Sequence, residues 1–322
     1  MLNKLWAIIA NSYTETVRQP IYGIILLATA GLLVLNVSLA AYTLEDDNKF
    51  LKDMGLSTLL VSGLFLSAFS AAGVLSREIE NKTVLTVISK PIGRPLFLLG
   101  KFLGLGGALA TGFYLVGIVF LLCMRHRVMS TASDHIDMPV MLFGVGAVLG
   151  SVLIAAFCNF LYDMQFTSTA MRLVVPLMTV AILLVAMIND EWEIQQFGKD
   201  FIDGQLIGAL LLVFAMVMIL TAVAVAVSTR LGQVMTLSIC TGVLMIGLVS
   251  DAWFGQYRDA HFLGQLAYWV SPNLAFLWIT DALTRGDHVS VKYVLTSFTY
   301  AGLLSLSWLL IGVALFQKRE VG

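Results

Sequence analysis

Eight long stretches without a single charged residue dominate this chain. They are Ile21–Thr43, Gly55–Leu75, Phe102–Cys123, Val140–Tyr162, Leu173–Ile188, Leu206–Thr229, Leu231–Ser250 and Val294–Phe316. One such stretch can be buried in a soluble core, but eight in 322 residues cannot. Only 12% of the chain is charged, half the roughly 25% of ordinary soluble domains. At about 1.5 Å per residue, about 20 apolar residues cross a hydrocarbon core of about 30 Å. Lipid offers the backbone no hydrogen bonds, so each crossing segment must be a helix. The expected fold is an all-α polytopic membrane protein with eight transmembrane helices, one membrane domain over residues 1–322. Leu173–Ile188 is short for a crossing and needs help from flanking residues.

Two further segments are apolar without spanning. In residues 2–20, Leu2, Leu5, Trp6, Ile9, Tyr13 and Val17 recur at helical spacing, with Lys4, Asn11, Glu15 and Arg18 elsewhere around the helix. That pattern suits a helix lying in the headgroup plane and ended by Pro20, with Trp6 and Arg18 as interfacial groups. Phe262–Thr280 is broken by Ser271-Pro272-Asn273, which favours a re-entrant hairpin or two interfacial helices over a crossing.

Orientation follows from Lys and Arg in the loops. With eight crossings both termini share a side. That side holds eleven of the 19 bases and five of the 20 acids; the other holds eight bases and fifteen acids. The basic side, with both termini, is expected to be cytoplasmic. The net charge of −1 implies neither nucleic acid nor an acidic substrate.

Several chemistries lack their residues. No G-x-x-x-x-G-K-[ST] is present to wrap phosphates in backbone amides, and no H-E-x-x-H or G-x-S-x-G to support hydrolysis. No catalytic residue, metal site or cofactor bound by this chain is therefore expected. Cys123, Cys158 and Cys240 lie in apolar runs, with neither disulfide-framework nor zinc spacing. Ion-coupled carriers place ionisable groups at mid-membrane, and here Asn36 and Asn159 are the most polar groups in the spans, read as helix-contact residues. Gly100-x-x-x-Gly104 and Gly146-x-x-x-Gly150 are expected to let helices approach closely. Met124, His126, Met129, His135, Met138 and Met141 cluster in one loop with Asp134 and Asp137; without fixed spacing they read as an ordinary loop rather than a copper site.

The stretch "SREIENKTVLTVISKPIGRPLFLLGKFLG", Ser76–Gly104, is the exception to the apolar pattern. Arg77–Lys90 reads as a helix with Val84, Val87 and Ile88 on one stripe, stopped by Pro91, and "KPIGRP" as a rigid turn back to the membrane at Phe97. Lys and Arg alone would satisfy the positive-inside rule. Mixed charge on a short helix closed by two prolines instead suits a surface that fits a soluble partner.

The order of features resembles that of the ABC type-2 exporter permeases, membrane subunits of bacterial ATP-binding-cassette transporters. The likeness rests on "ETVRQPIYG" (15–23), on the Arg-Glu, Thr, Lys-Pro, Arg and Gly-Lys of 76–104, on "VSPNLAFLWITDAL" (270–283) and on "LFQKREVG" (315–322). It implies an elbow helix at 1–20, a cytoplasmic coupling segment at 76–96 and an outer re-entrant segment at 251–293. It further implies that Arg77, Glu78, Glu80, Lys82, Val84, Val87, Lys90, Pro91 and Arg94 dock on a separate ATPase subunit, which carries ATP and Mg. A second permease, identical or not, would complete the path in a bacterial cytoplasmic membrane. The family core has six spans, so an extra pair is expected between the third span and the re-entrant segment. An ion-coupled secondary transporter and a membrane component of a cofactor or metal-site assembly system stand as alternatives, and the substrate is not legible.

Overall fold

A backbone in hydrocarbon satisfies its own polar groups, and each apolar stretch of this chain is accordingly helical. The computed structural model describes residues 2–40, 47–80, 93–128, 136–199, 201–257 and 271–317, with Phe262 and Gln265. In chain order these form α1 (Leu2–Arg18), α2 (Pro20–Ala40), α3 (Asp47–Glu80), α4 (Arg94–His126) and α5 (Met138–Tyr162). Then follow α6 (Phe166–Met187), α7 (Gly204–Ser228), α8 (Gln233–Phe254), α9 (Thr280–Arg285) and α10 (Val291–Gln317). Among the described residues there is no strand, only an isolated bridge between Ile188 and Ile194. Eight helices, α2 to α8 and α10, are long and apolar enough to cross a membrane.

Two boundaries differ from the sequence expectation. The short fifth stretch begins at Phe166 rather than Leu173, because Gln165 C=O accepts the Thr169 N–H and starts the helix early. "FTSTAMR" is therefore helix, and the α5–α6 loop shrinks to residues 163–165, entered through Asp163 in the left-handed conformation (φ 51°). Pro176 lies inside α6 without ending it, as membrane helices tolerate. The second difference concerns the charged connection. Arg77–Glu80 prolong α3 without a break, where a helix separate from the span was expected. Lys82, Val84, Val87, Lys90 and Pro91 lie outside the described residues, as does most of the Met/His loop at 129–135.

The chain divides into two compact units, one made of residues 1–16, 63–109 and 211–322 and the other of 17–62 and 110–210. α7, which belongs to the first from Leu211 onward, is apolar on every side, and 83% of its apolar window is buried. Residues 271–285 form only a 3₁₀ turn (Ala275–Leu277) and α9, neither long enough to cross. Leu274 N–H donates to Gly247 C=O of α8 at 2.9 Å, and a side chain at Gly247 would collide with Leu274. Asn273 N–H donates to the Tyr300 hydroxyl of α10.

In the second unit α5 and α6 pack as an antiparallel hairpin. The Asn36 side chain donates to the Thr58 hydroxyl at 3.1 Å, joining α2 to α3, while Asn159 donates to Met164 C=O and closes the end of α5. Gly100 and Gly104 do face another helix, described below. Gly146 and Gly150 do not: nothing lies within 4 Å of where their side chains would be. A small-xxx-small pair permits close approach but does not supply the partner.

Arg125 and Asp137 close the loop between α4 and α5. The Arg125 guanidinium donates through Nε to Asp137 at 2.9 Å and through its terminal nitrogens to Val185 C=O and Ile188 C=O, and it stacks over Phe201. Asp137 also accepts the Val140 N–H and so caps the start of α5. Asp137 is thus engaged in structure, and His126 faces Arg127 C=O; among the described residues no three His, Cys, Asp or Glu side chains converge to hold a metal. The cysteines are free thiols.

Candidate functional site at the start of α4

Pro95 occupies the first turn of α4, where its missing N–H costs nothing. Gly93 C=O accepts the Phe97 N–H and opens the helix directly after the charged connection.

Arg94 reaches the end of α10. Its guanidinium donates to Gln317 C=O at 2.6 Å and Phe316 C=O at 3.3 Å, and lies 5.6 Å from the Phe316 ring centroid. Phe97, one turn on, stacks on the same ring at 6.0 Å. Arg230, in the turn after α7, donates from Nε to Leu315 C=O at 2.9 Å. The last carbonyls of a helix lack N–H partners and carry its negative pole. Two arginines from different parts of the chain satisfy three of them here.

The other side of α4 seats α1. A side chain on Gly104 would come within 2.5 Å of the Ile9 carbonyl oxygen, and one on Gly100 within 2.7 Å of the Ile8 side chain. Gly107 faces Tyr13 at ordinary contact distance. The glycines form a groove in α4 that admits the α1 backbone. Within it Lys101 is buried to 3% exposure, 3.7 Å from Glu15 of α1 and 5.6 Å from the Phe97 ring centroid. The expected apolar stripe of α1 is split by this seat. Leu5, Ile8, Ile9 and Tyr13 turn toward α4, while Leu2 and Trp6 remain exposed. In lipid an outward apolar group carries no penalty, so periodicity alone cannot tell the two faces apart. Arg18 is exposed at the end of α1.

Of the expected docking residues, Arg94 is therefore placed in a bonded cluster with α10. Arg77, Glu78 and Glu80 lie in the last turn of α3, and the others lie outside the described residues. Lys101 and Arg230 carry no motif of their own in the sequence. Neither pairing was legible, although a lone Lys in "LLGKFLGLGG" and a lone Glu on an amphipathic helix are the signal that could have linked Lys101 to Glu15. The site thus joins three helices: α4, the α1 seated in its glycine groove, and the end of α10 held by two arginines. No protein-family model matches this chain, and no curated protein matches it in sequence.

Proposed function

We propose that this chain is the membrane-spanning permease subunit of an ABC exporter, driven by ATP hydrolysed on a separate subunit. The observation that carries the reading is the Arg94 cluster. The end of segment 76–96 is bonded to the last turn of α10 and continues into the helix that seats α1.

In this reading segment 76–96 is the coupling element, gripped by a soluble ATPase that holds ATP and Mg. α1 is the elbow helix at the cytoplasmic surface, and 251–293 is the outer re-entrant segment. A displacement of the coupling element enters α4, which at 33 residues is about 50 Å long and stiff along its axis. It reaches α10 through Arg94 and α1 through the glycine groove and Lys101. A second permease subunit completes the path, and alternation between two packings moves the substrate. Both termini are cytoplasmic, in a bacterial inner membrane.

Ion-coupled transport fits less well. Among the described residues the buried charged side chains are Lys101, Arg125 and Asp137, and each is engaged with an oppositely charged side chain. The test is co-purification of the full-length protein with an ATPase carrying G-x-x-x-x-G-K-[ST], and transport assayed with Glu80→Lys and Lys82→Glu. Expected is a large loss of coupled ATP hydrolysis with insertion intact. Unchanged coupling, or transport on a proton gradient without ATP, sinks the proposal.

A further inference from the structure

The second unit contains a cavity of about 470 Å³ that the permease reading does not use. It lies among the first turns of α2 (Ile24, Leu27), the later turns of α4 (Val116), the middle of α5 (Val148) and the first half of α6 (Met171, Val174). α2 and α6 meet at their starts, where Gly23 faces the Thr167 methyl group. The lining is almost wholly hydrocarbon, and the Ser151 hydroxyl on its wall is spent on Ala147 C=O of its own helix. Water needs two to four polar partners to be held in such a space, so an aqueous filling is disfavoured. Its size falls within the 300–1,000 Å³ typical of small-molecule sites. Ile24 and Leu27 are 63% and 70% exposed, so the rim is open to the surrounding lipid.

Two cations lie close to lining residues along the chain. Arg18 precedes Pro20, a lining residue, by two positions, and Arg172 directly follows Met171. Both are exposed, and neither has an ion pair among the described residues. The acid nearest in sequence to Arg172 is Asp163, exposed in the α5–α6 loop. An apolar hollow reached from lipid, with an unpaired arginine just before α2 and another seven residues into α6, matches one class of molecule: a long hydrocarbon chain under an anionic head. We propose that this cavity binds an anionic membrane phospholipid, with an acyl chain among α2, α4, α5 and α6 and the phosphate held by Arg18 and Arg172. The proposal does not rest on the permease reading.

The test uses the full-length protein in micelles with phosphatidylglycerol carrying a diazirine in one acyl chain. After irradiation, adducts are expected to concentrate on peptides covering residues 20–30 and 166–178. At about one decade per 1.4 kcal/mol and a modest contribution from each arginine, labelling should exceed that by the phosphatidylcholine analogue about 30-fold. Arg18→Gln with Arg172→Gln brings the two lipids to parity. Ala170→Trp, which fills the cavity, removes the adducts. Should that variant not fold, competition on the unaltered protein decides: unlabelled phosphatidylglycerol must displace the label and phosphatidylcholine must not. Adducts spread over α8 and α10 in proportion to exposure, equal labelling by both lipids, or indifference to the arginine changes overturns the proposal. So does shielding of both peptides by self-association, which would put a second copy of the chain in the cavity.

Discussion

The two ends of α4 each hold an arginine on backbone carbonyls and an aromatic ring, but differ in the carboxylates that pair with their basic side chains. At its C-terminal end Arg125 spends its guanidinium on one carboxylate, two carbonyls and an aromatic face, and both it and Asp137 are at most 6% exposed. At its N-terminal end Lys101 stands 3.7 Å from a Glu15 that is about a third exposed, and Arg94 grips carbonyls at a half-open helix end. A planar five-donor fork pre-organised in a dry site is fixed. Lys101 is itself buried, but its ammonium is a single point charge, and its pairing with the partly solvated Glu15 is longer than that of the Arg125 fork with Asp137. The Arg125 end is thus the drier of the two, and the Lys101 end has the partly solvated carboxylate.

The comparison is broken most directly at the anchor. Arg125→Ala leaves the Asp137 carboxylate and two carbonyls buried without their donor, and should cost about 3–5 kcal/mol. Thermal unfolding in detergent should show a large drop or no folded protein. Arg125→Met with Asp137→Leu should recover much of that loss, because removing both charges leaves neither buried alone. A single change at Arg125 that costs no more than one at Arg94 would erase the distinction between the ends.

Gly104→Val tests the seat of α1 with an intermediate effect. The added atoms meet the Ile9 backbone oxygen, which cannot swing aside as a side chain would, and overpacking of this kind costs about 1–3 kcal/mol. A disulfide engineered between α1 and α4 should form more slowly in the variant, while the Arg125 end stays intact. Equal cross-linking would show that α1 does not use the groove.

The smallest effect belongs to Arg94→Gln. It removes a cation from a half-exposed helix end, worth about 0.3–1 kcal/mol, and high salt should mimic it. Stability should barely move, whereas coupled ATP hydrolysis, under the proposed function, should fall. Loss of both together would make Arg94 a structural residue only.

Much of the fold was legible because hydrocarbon imposes simple rules. Charge-free length specified eight helices long and apolar enough to cross, while most of the apolar run that Ser271-Pro272-Asn273 interrupts lies outside the described residues. The start of α6 was misread because "FTSTAMR" is polar enough to resemble a loop, yet each of its hydroxyls can sit on a helix surface without breaking the ladder. The site was legible only in outline. The charged stretch marked the place, but the clasp depends on Arg94, Arg230 and the end of α10, residues more than 80 positions apart.

Composition and spacing alone determined that this chain is a set of membrane helices with an unusual charged connection. Which helices form the core, they could not determine. α2 and α7 are both apolar all round, but α2 is 28% buried and α7 83%. In water such sequences would both be driven inside. In lipid the solvent is as apolar as leucine, so burial is decided by close packing and paired polar groups. Those depend on which helices meet, and only the tertiary structure records that.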